Sequence, residues 1–397
     1  MSQSSDPPLS DSSDQLYTRE FFLVLAVQMC FGISFAAFLM LPKFLRVELG
    51  ATASEIGWMA GTSLVASAVF SPFVGLLTRF VARKKLLAAS ILMEGGGALL
   101  FSQVTEIGAF AYSIRIVQGL AFVIVFNCTT TLVADIAPKQ HLARAIGYVG
   151  LAMLLTNALA PLLTEPLADS FGWDTAFSVS GIAALSALVC LPFLPKQKKR
   201  PKDVRTHAAT RPASLGPVYY ASLVTGVGLG VMFTFVQPYA LSLGAKQVGQ
   251  FFIGYVIAAG SSRTVFAGLA DRVGRMKTAI CALSLYALVT AVSAGLTPSL
   301  LIPLGAGLGL AHGFLYPSLS ALGIARTLPE QRSMFMGWFF CAFNVGFAIS
   351  VLGLGPVADE KGYALVFLVA GGCVATGVVG LLTSNLRQRE GAAEATP

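Results

Sequence analysis

Residues 166 to 177 read Pro-Leu-Ala-Asp-Ser-Phe-Gly-Trp-Asp-Thr-Ala-Phe, and residues 356 to 367 read Pro-Val-Ala-Asp-Glu-Lys-Gly-Tyr-Ala-Leu-Val-Phe. Both stretches keep Pro, Ala-Asp, Gly, an aromatic and Phe in one frame. Two further pairs repeat at nearly the same offset. Phe73-Val-Gly75-Leu-Leu-Thr78-Arg79 matches Phe266-Ala-Gly268-Leu-Ala-Asp271-Arg272. Gly119-Leu-Ala-Phe122, followed by Phe126, matches Gly309-Leu-Ala-His312, followed by Tyr316. A chain that repeats itself over apolar helices reads as a duplicated membrane bundle. Its halves are then related by a pseudo-two-fold axis along the membrane normal, with a cavity between them.

The composition agrees. Of 397 residues, 55% are hydrophobic and only 12% charged, against about 25% charged in a soluble domain. Each membrane span needs ~20 mainly apolar residues, so twelve take ~240. The apolar segments fall at about 21–42, 54–77, 84–104, 108–134, 142–165, 174–194, 218–242, 248–270, 276–297, 299–324, 332–355 and 362–384. The fold expected is an all-α membrane protein of twelve transmembrane helices in two pseudo-symmetric six-helix bundles. Residues 1–20 are polar and acidic and read as a disordered tail with no cleavable signal. Residues 21–194 form the first bundle, 195–217 a polar linker, 218–384 the second bundle and 385–397 a second tail.

The net charge of +8 raises the question of nucleic acid. Its distribution answers it. Of 27 Lys and Arg, Lys43, Arg46, Lys246 and Lys361 fall on one side, and Arg115 and Arg263 fall inside spans. All the others lie on the side of the amino terminus, including the Lys-Gln-Lys-Lys-Arg run of the linker. That asymmetry places both termini in the cytoplasm, and the basic loops meet anionic lipid headgroups instead of nucleic acid. The six cysteines have no metal spacing and read as small core residues. No phosphate-binding Gly-x-x-x-x-Gly-Lys-Ser/Thr loop is present, so ATP is not the direct energy source. No cofactor and no metal is expected.

Gly268-Leu-Ala-Asp271-Arg272-Val-Gly274-Arg275-Met-Lys277 resembles the loop signature of the major facilitator superfamily. The first half keeps Gly75, Arg79, Arg83, Lys84 and Lys85 in the equivalent loop, with Thr78 where that family has an acid. Arg115-Ile-Val-Gln118-Gly119 resembles the family's Arg-x-x-Gln-Gly motif. Gly147, Ala160 and Pro161 resemble its antiporter motif, but Thr164 and Glu165 replace the closing glycines. Gly249-Gln-Phe251-Phe252-Ile-Gly-Tyr255 and Ser262-Arg263 look like the bacterial drug, sugar and metallophore efflux branch. The resemblance implies a cytoplasmic gate in which Asp271 and Arg272 take part, with Asp135 paired to Arg79 or Arg83.

Charges inside spans need a partner or a cavity, since each costs ~2.5–3.5 kcal/mol at mid-bilayer. Glu94, in the middle of span three, can exchange a proton or serve as a protonated structural group. The resemblance gives Arg115 a part in proton coupling or in reading substrate charge; it can equally anchor neighbouring carbonyls. His312 carries an imidazole, a group that ordinarily changes charge near neutral pH, on span ten, which the resemblance places at the cavity; it can couple protons, bind substrate or be merely hydrogen-bonded. Glu165 sits near the outer end of span five, where water is expected to reach it. Polar and aromatic residues spread over several spans read as an amphipathic-ligand pocket: Gln28, Phe35, Phe122, Phe126, Asn127, Asn157, Phe233, Gln237, Tyr316, Phe340 and Asn344.

The expected function is alternating access in an inner membrane, by a monomer that exchanges protons for a small amphipathic molecule moving outward. Uptake on the same fold is the first alternative. A non-transporting receptor or scaffold is the second. The motifs of intramembrane or soluble enzymes are missing: no His-Glu-x-x-His and no nucleophile elbow occur.

Overall fold

Hydrocarbon offers no water to an open backbone N–H or C=O, so a spanning segment must satisfy its own polar groups, and an apolar run becomes a helix. A computed structural model describes residues 16–138, 141–194, 215–264, 273–328 and 331–394. Among them are twelve helical segments: α1 (Arg19–Val47), α2 (Ala53–Phe80), α3 (Arg83–Phe101), α4 (Ala109–Ile136), α5 (Leu142–Phe171), α6 (Trp173–Phe193), α7 (Gly216–Ser242), α8 (Gln250–Thr264), α9 (Arg275–Val292), α10 (Pro298–Ala325), α11 (Arg332–Lys361) and α12 (Tyr363–Glu394). Ten are long and apolar enough to cross a membrane. The other two are α3, which holds Arg83, Lys84, Lys85 and Glu94, and α8, whose described part stops at Thr264.

The duplicated stretch is a pair of joints. The apolar segments were expected to end before Pro166 and Pro356. The helices run through both prolines and stop at Gly172 and Gly362, with φ of 86° and 84°. A proline inside a helix removes one hydrogen bond, which membrane helices tolerate. A left-handed residue does end a helix, and glycine adopts that conformation without a Cβ penalty. Trp173 and Tyr363 begin the next helix at once.

Packing repeats along the chain as well. In residues 19–193, α2 and α3 pack on α4, α5 and α6 on α1, and α6 on α3. In residues 216–394 the same places are taken by α8 and α9 on α10, α11 and α12 on α7, and α12 on α9. Gly119 of α4 faces the Ser63 carbonyl of α2, and Gly309 of α10 faces the Tyr255 carbonyl of α8. A Cβ at either position would enter that backbone. Glycine is what allows these helix pairs to approach so closely.

The two sets of helices meet through α2 with α11, α5 with α8, and the end of α1 with α7. We call the end of the molecule where α1 starts and α12 finishes the proximal end, and the opposite one the distal end. The hydrogen bonds between the sets, among the described residues, gather at the distal end. The Trp58 indole donates to the Leu352 carbonyl at 3.3 Å, and Gln237 Nε2 donates to the Leu39 carbonyl at 2.6 Å. Val351, fully buried, lies against Gly57 and Gly61 of α2. Toward the proximal end α2 loses its neighbours. Val69, Phe70, Ser71, Pro72 and Phe73 are all exposed. Five consecutive exposed residues go round the whole helix and so cannot all face one lipid layer.

Introducing Leu at Gly119 or Gly309 is expected to lower stability by about 1–3 kcal/mol or more, the usual cost of overpacking. Gly96→Ala, with open space around it, is expected to be neutral. Thermal unfolding of purified protein in detergent checks both.

Candidate functional site

Polar side chains from four of the first six helices converge on one place. Arg115 and Gln118 are three residues apart and share a face of α4. Gly97 lets α3 lie against Gln118 and Ile114, which carries the neighbouring Glu94 inward. Glu94 is fully buried and Arg115 is 4% exposed. They are joined through an amide. Gln118 Nε2 donates to Glu94 Oε1 at 3.4 Å, and Arg115 Nη1 donates to Gln118 Oε1 at 2.7 Å. The amide dipole therefore points its positive end at the carboxyl and its negative end at the guanidinium. Ser34 of α1 donates to the same Glu94 oxygen at 3.3 Å. Arg115 Nη2 donates to Ser63 Oγ of α2 at 2.7 Å, and the guanidinium lies 5.0 Å from the centre of the Phe38 ring. Four helices thus hold one buried acid and one buried base. Glu94 Oε2 and Arg115 Nε have no hydrogen-bond partner among the described residues. Such a carboxyl has room to take a proton without breaking the bonds at its other oxygen.

The second six helices build a different site. The Tyr255 hydroxyl of α8 lies 2.6 Å from His312 Nδ1 on α10. The His312 ring is parallel to Phe343 of α11, with centroids 6.3 Å apart. A small recess, with room for about one water molecule, is lined by Ser222, Thr225, His312, Leu315, Tyr316, Leu319, Phe339 and Phe343. The Ser222 and Thr225 hydroxyls donate to the Phe339 and Ala221 carbonyls, so what they turn to the recess is acceptor oxygen.

The other residues picked from the sequence divide into groups. Phe35, Phe122 and Phe126 form one near-parallel stack between α1 and α4, with Phe35 and Phe122 4.4 Å apart. Tyr316 packs on Phe340 at 5.9 Å, and Asn344 lies one turn further along α11, half-buried. Asn127 is exposed and Asn157 half-buried. Gln28, Phe233 and Gln237 are buried. Gln28 accepts from Thr129, Phe233 packs edge-on against Phe251, Phe252 and Tyr255, and Gln237 bonds Leu39.

At the proximal end Asp135 forms an ion pair with Arg83. Gly75 is not in a loop, as expected, but inside α2, which runs to Phe80; the turn is only Val81-Ala82. The helix persists because the Val81 amide still bonds the Leu77 carbonyl. Gly274 has φ of 94° and immediately precedes α9, whose first residue, Arg275, is exposed. Gly268, Asp271 and Arg272 lie outside the described residues, as do the side chains of Arg79 and Arg263.

Sequence reading missed Gln118 as a bridge, although its three-residue spacing from Arg115 carried the signal. It also mistook Glu165. That carboxylate is 4% exposed and not reached by water. Lys43 Nζ donates to it at 2.8 Å, and the Val248 and Gly249 amides donate at 2.8 and 2.7 Å. No pattern within α5 announces a partner that arrives from the loop before α8.

A sequence profile of the Major Facilitator Superfamily matches residues 22–261 and 218–396. The staphylopine export protein of Staphylococcus aureus is 22% identical over 348 residues, which cover 82% of this chain and 85% of that protein. Multidrug resistance protein MdtG of Escherichia coli is 26% identical, covering 97% of each chain. The probable 4-methylmuconolactone transporter of Cupriavidus pinatubonensis is 29% identical, covering 81% of this chain and 79% of its own. The nucleoside transporter NupG superposes with a TM-score of 0.76 at 13% identity, over 91% of this chain and 99% of the other. The POT family transporter PepTSo gives 0.77 at 11% identity, over 94% and 99%.

Gln118→Leu removes the bridge and leaves two buried groups short of a partner. At about 1–3 kcal/mol for each, it is expected to be far more destabilising than Glu94→Gln, which keeps an oxygen for Ser34 and Gln118. Paired thermal melts of the two variants decide this.

Proposed function

The chain belongs to the Major Facilitator Superfamily, and we propose that it is a proton-coupled exporter of a small amphipathic molecule, working by alternating access in an inner membrane. As a multi-pass membrane transporter it moves a small-molecule substrate between aqueous phases and is not an enzyme. The observation that carries the proposed mechanism is one-sided closure. The first and second six helices are bonded together at the distal end, while α2 stands exposed at the proximal end. In this reading they are two pseudo-symmetric halves caught with the cytoplasmic side open, both termini lie in the cytoplasm, and one chain is the working unit.

Coupling then needs a group whose charge changes between the two states. Glu94 is the candidate carrier. Bare in an apolar bundle it would be costly to ionise, and Arg115 stands one amide away to stabilise its charged form. His312, in the recess of the second half, is the candidate on the other wall. Substrate contacts fall to the Phe35–Phe122–Phe126 stack and to the recess beside Tyr316, Phe340 and Asn344. Asp135 with Arg83, and the segment containing Gly268, Asp271, Arg272, Gly274 and Arg275, form the cytoplasmic gate. The outward direction is supported by the names of the staphylopine and multidrug relatives.

Inside-out vesicles with an acid lumen are expected to accumulate substrate as protons leave. Accumulation by right-side-out cells instead would overturn export. Glu94→Gln, Arg115→Ala and His312→Ala are each expected to cut gradient-driven transport about tenfold or more, within the usual range of coupling energies. Full transport in all three would overturn the proton route.

A further inference from the structure

Four backbone amides at the distal end are bound by two carboxylates, one from each half, and Asp359 accepts from the Ser54 hydroxyl as well. Asp359, near the end of α11, accepts from the Ala53 amide at 2.7 Å and the Ser54 amide at 3.0 Å. These are the first two N–H groups of α2. The third, from Glu55, is already taken by Thr52, and the fourth bonds the Thr52 carbonyl. So the orphan donors of that helix start are all satisfied, two of them by the opposite half. Glu165, near the end of α5, accepts from the Val248 and Gly249 amides, the two residues that lead directly into α8. Here too the helix that receives the cap belongs to the opposite half. α5 and α11 are the two copies of one repeated helix, and so are α2 and α8.

The copies differ by one turn. Asp169 is the repeat equivalent of Asp359, and Gly355 the equivalent of Glu165. A Cβ at Gly355 would press on Ser54 at 2.6 Å, so on that side the cap must come from Asp359. On the other side there is room for a longer side chain, and Glu165 makes the contact. Lys43 holds it in place. Its ammonium donates to Glu165 and Asp169, each at 2.8 Å, and to the Lys246 carbonyl at 3.4 Å.

We infer that Glu165 and Asp359 are reciprocal helix caps that set the balance between the shut and open states of the distal end, with Lys43 as the positioning residue for Glu165. The inference rests on the alternating-access reading above. Opening the distal end must break both caps, because each has its acceptor in one half and its donors in the other. Each cap therefore stabilises the shut state alone. A helix cap is worth roughly a fivefold change in an equilibrium. Sites on opposite edges of one interface combine independently. Each loss is expected to raise the open-to-shut ratio about fivefold, and both together about twenty-five-fold.

The test is spin-label distance measurement after replacement of the six native cysteines. One label pair, at Glu106 and Thr297, reports the distal end, and a second, at Phe80 and Lys277, reports the proximal end. Glu165→Ala, Asp359→Ala and the double variant are compared with the parent, with Lys43→Met as the positioning variant. The expected result is a longer distal distance together with a shorter proximal one, stepwise from parent to single to double. Lys43→Met should behave like Glu165→Ala and leave the Asp359 effect intact. Mere damage to packing would broaden both distances without opposite shifts, and that outcome overturns the inference. So does a double variant whose distal distribution matches the parent. A parent whose two pairs never redistribute with pH or substrate overturns both this inference and alternating access. A parent that redistributes while the variants stay unchanged overturns only the caps.

Discussion

A polar group inside a bilayer has no water to fall back on, so it must find its partner within the protein. This constraint acts first on the backbone. It turns each apolar run into a helix and leaves only the helix ends with open donors and acceptors. It acts next on side chains. Glu94 and Arg115 cannot stand alone in the middle of a bundle, and Gln118 joins them while Ser34 adds one bond to the carboxyl and Ser63 one to the guanidinium. It acts finally between the first six helices and the second six, where the amides that begin α2 and those that lead into α8 are met by carboxylates from the opposite set.

These three layers differ in permanence. Backbone bonds inside helices are indifferent to how the halves sit. The Glu94 assembly lies within the first six helices, so the rocking proposed above would leave it whole. The bonds at the distal end join the first six helices to the second six, and under the proposed alternating access they exist in one state only. A transporter of this kind needs all three: rigid units, a group whose charge can change, and contacts weak enough to be exchanged. Breaking a buried charged contact outright costs about 3–5 kcal/mol. A cap that trades protein amides for water on opening costs much less. The distal end uses the second kind of contact for most of its closure.

Much of this was legible in the sequence. The helices, their number and their duplication follow from hydropathy and from three repeated stretches. The joint at Gly172 and its copy at Gly362 lay within the stretch that revealed the repeat, but the helix ends were misread there. The apolar segments were ended before the prolines, whereas the left-handed glycine is the stop. Gly75 was read as a loop residue because its counterpart motif is a loop signature, yet hydrogen bonding carries α2 past it to Phe80. Arg115 and Glu94 could be singled out because a charge in an apolar run is visible at any distance from its partner.

The sequence by itself determined the periodic content: which segments are helical, that they come in two copies, and which charges lie inside them. Those properties depend on neighbours a few residues away. Only the tertiary structure decided who meets whom. That Gln118 and not a direct ion pair joins Glu94 to Arg115, that Glu165 is sealed from water by Lys43 and the amides leading into α8, and that Asp359 rather than a residue at position 355 reaches α2 all depend on how closely two helices approach. That distance is set by the packing of surfaces far apart in the chain, and no local pattern encodes it.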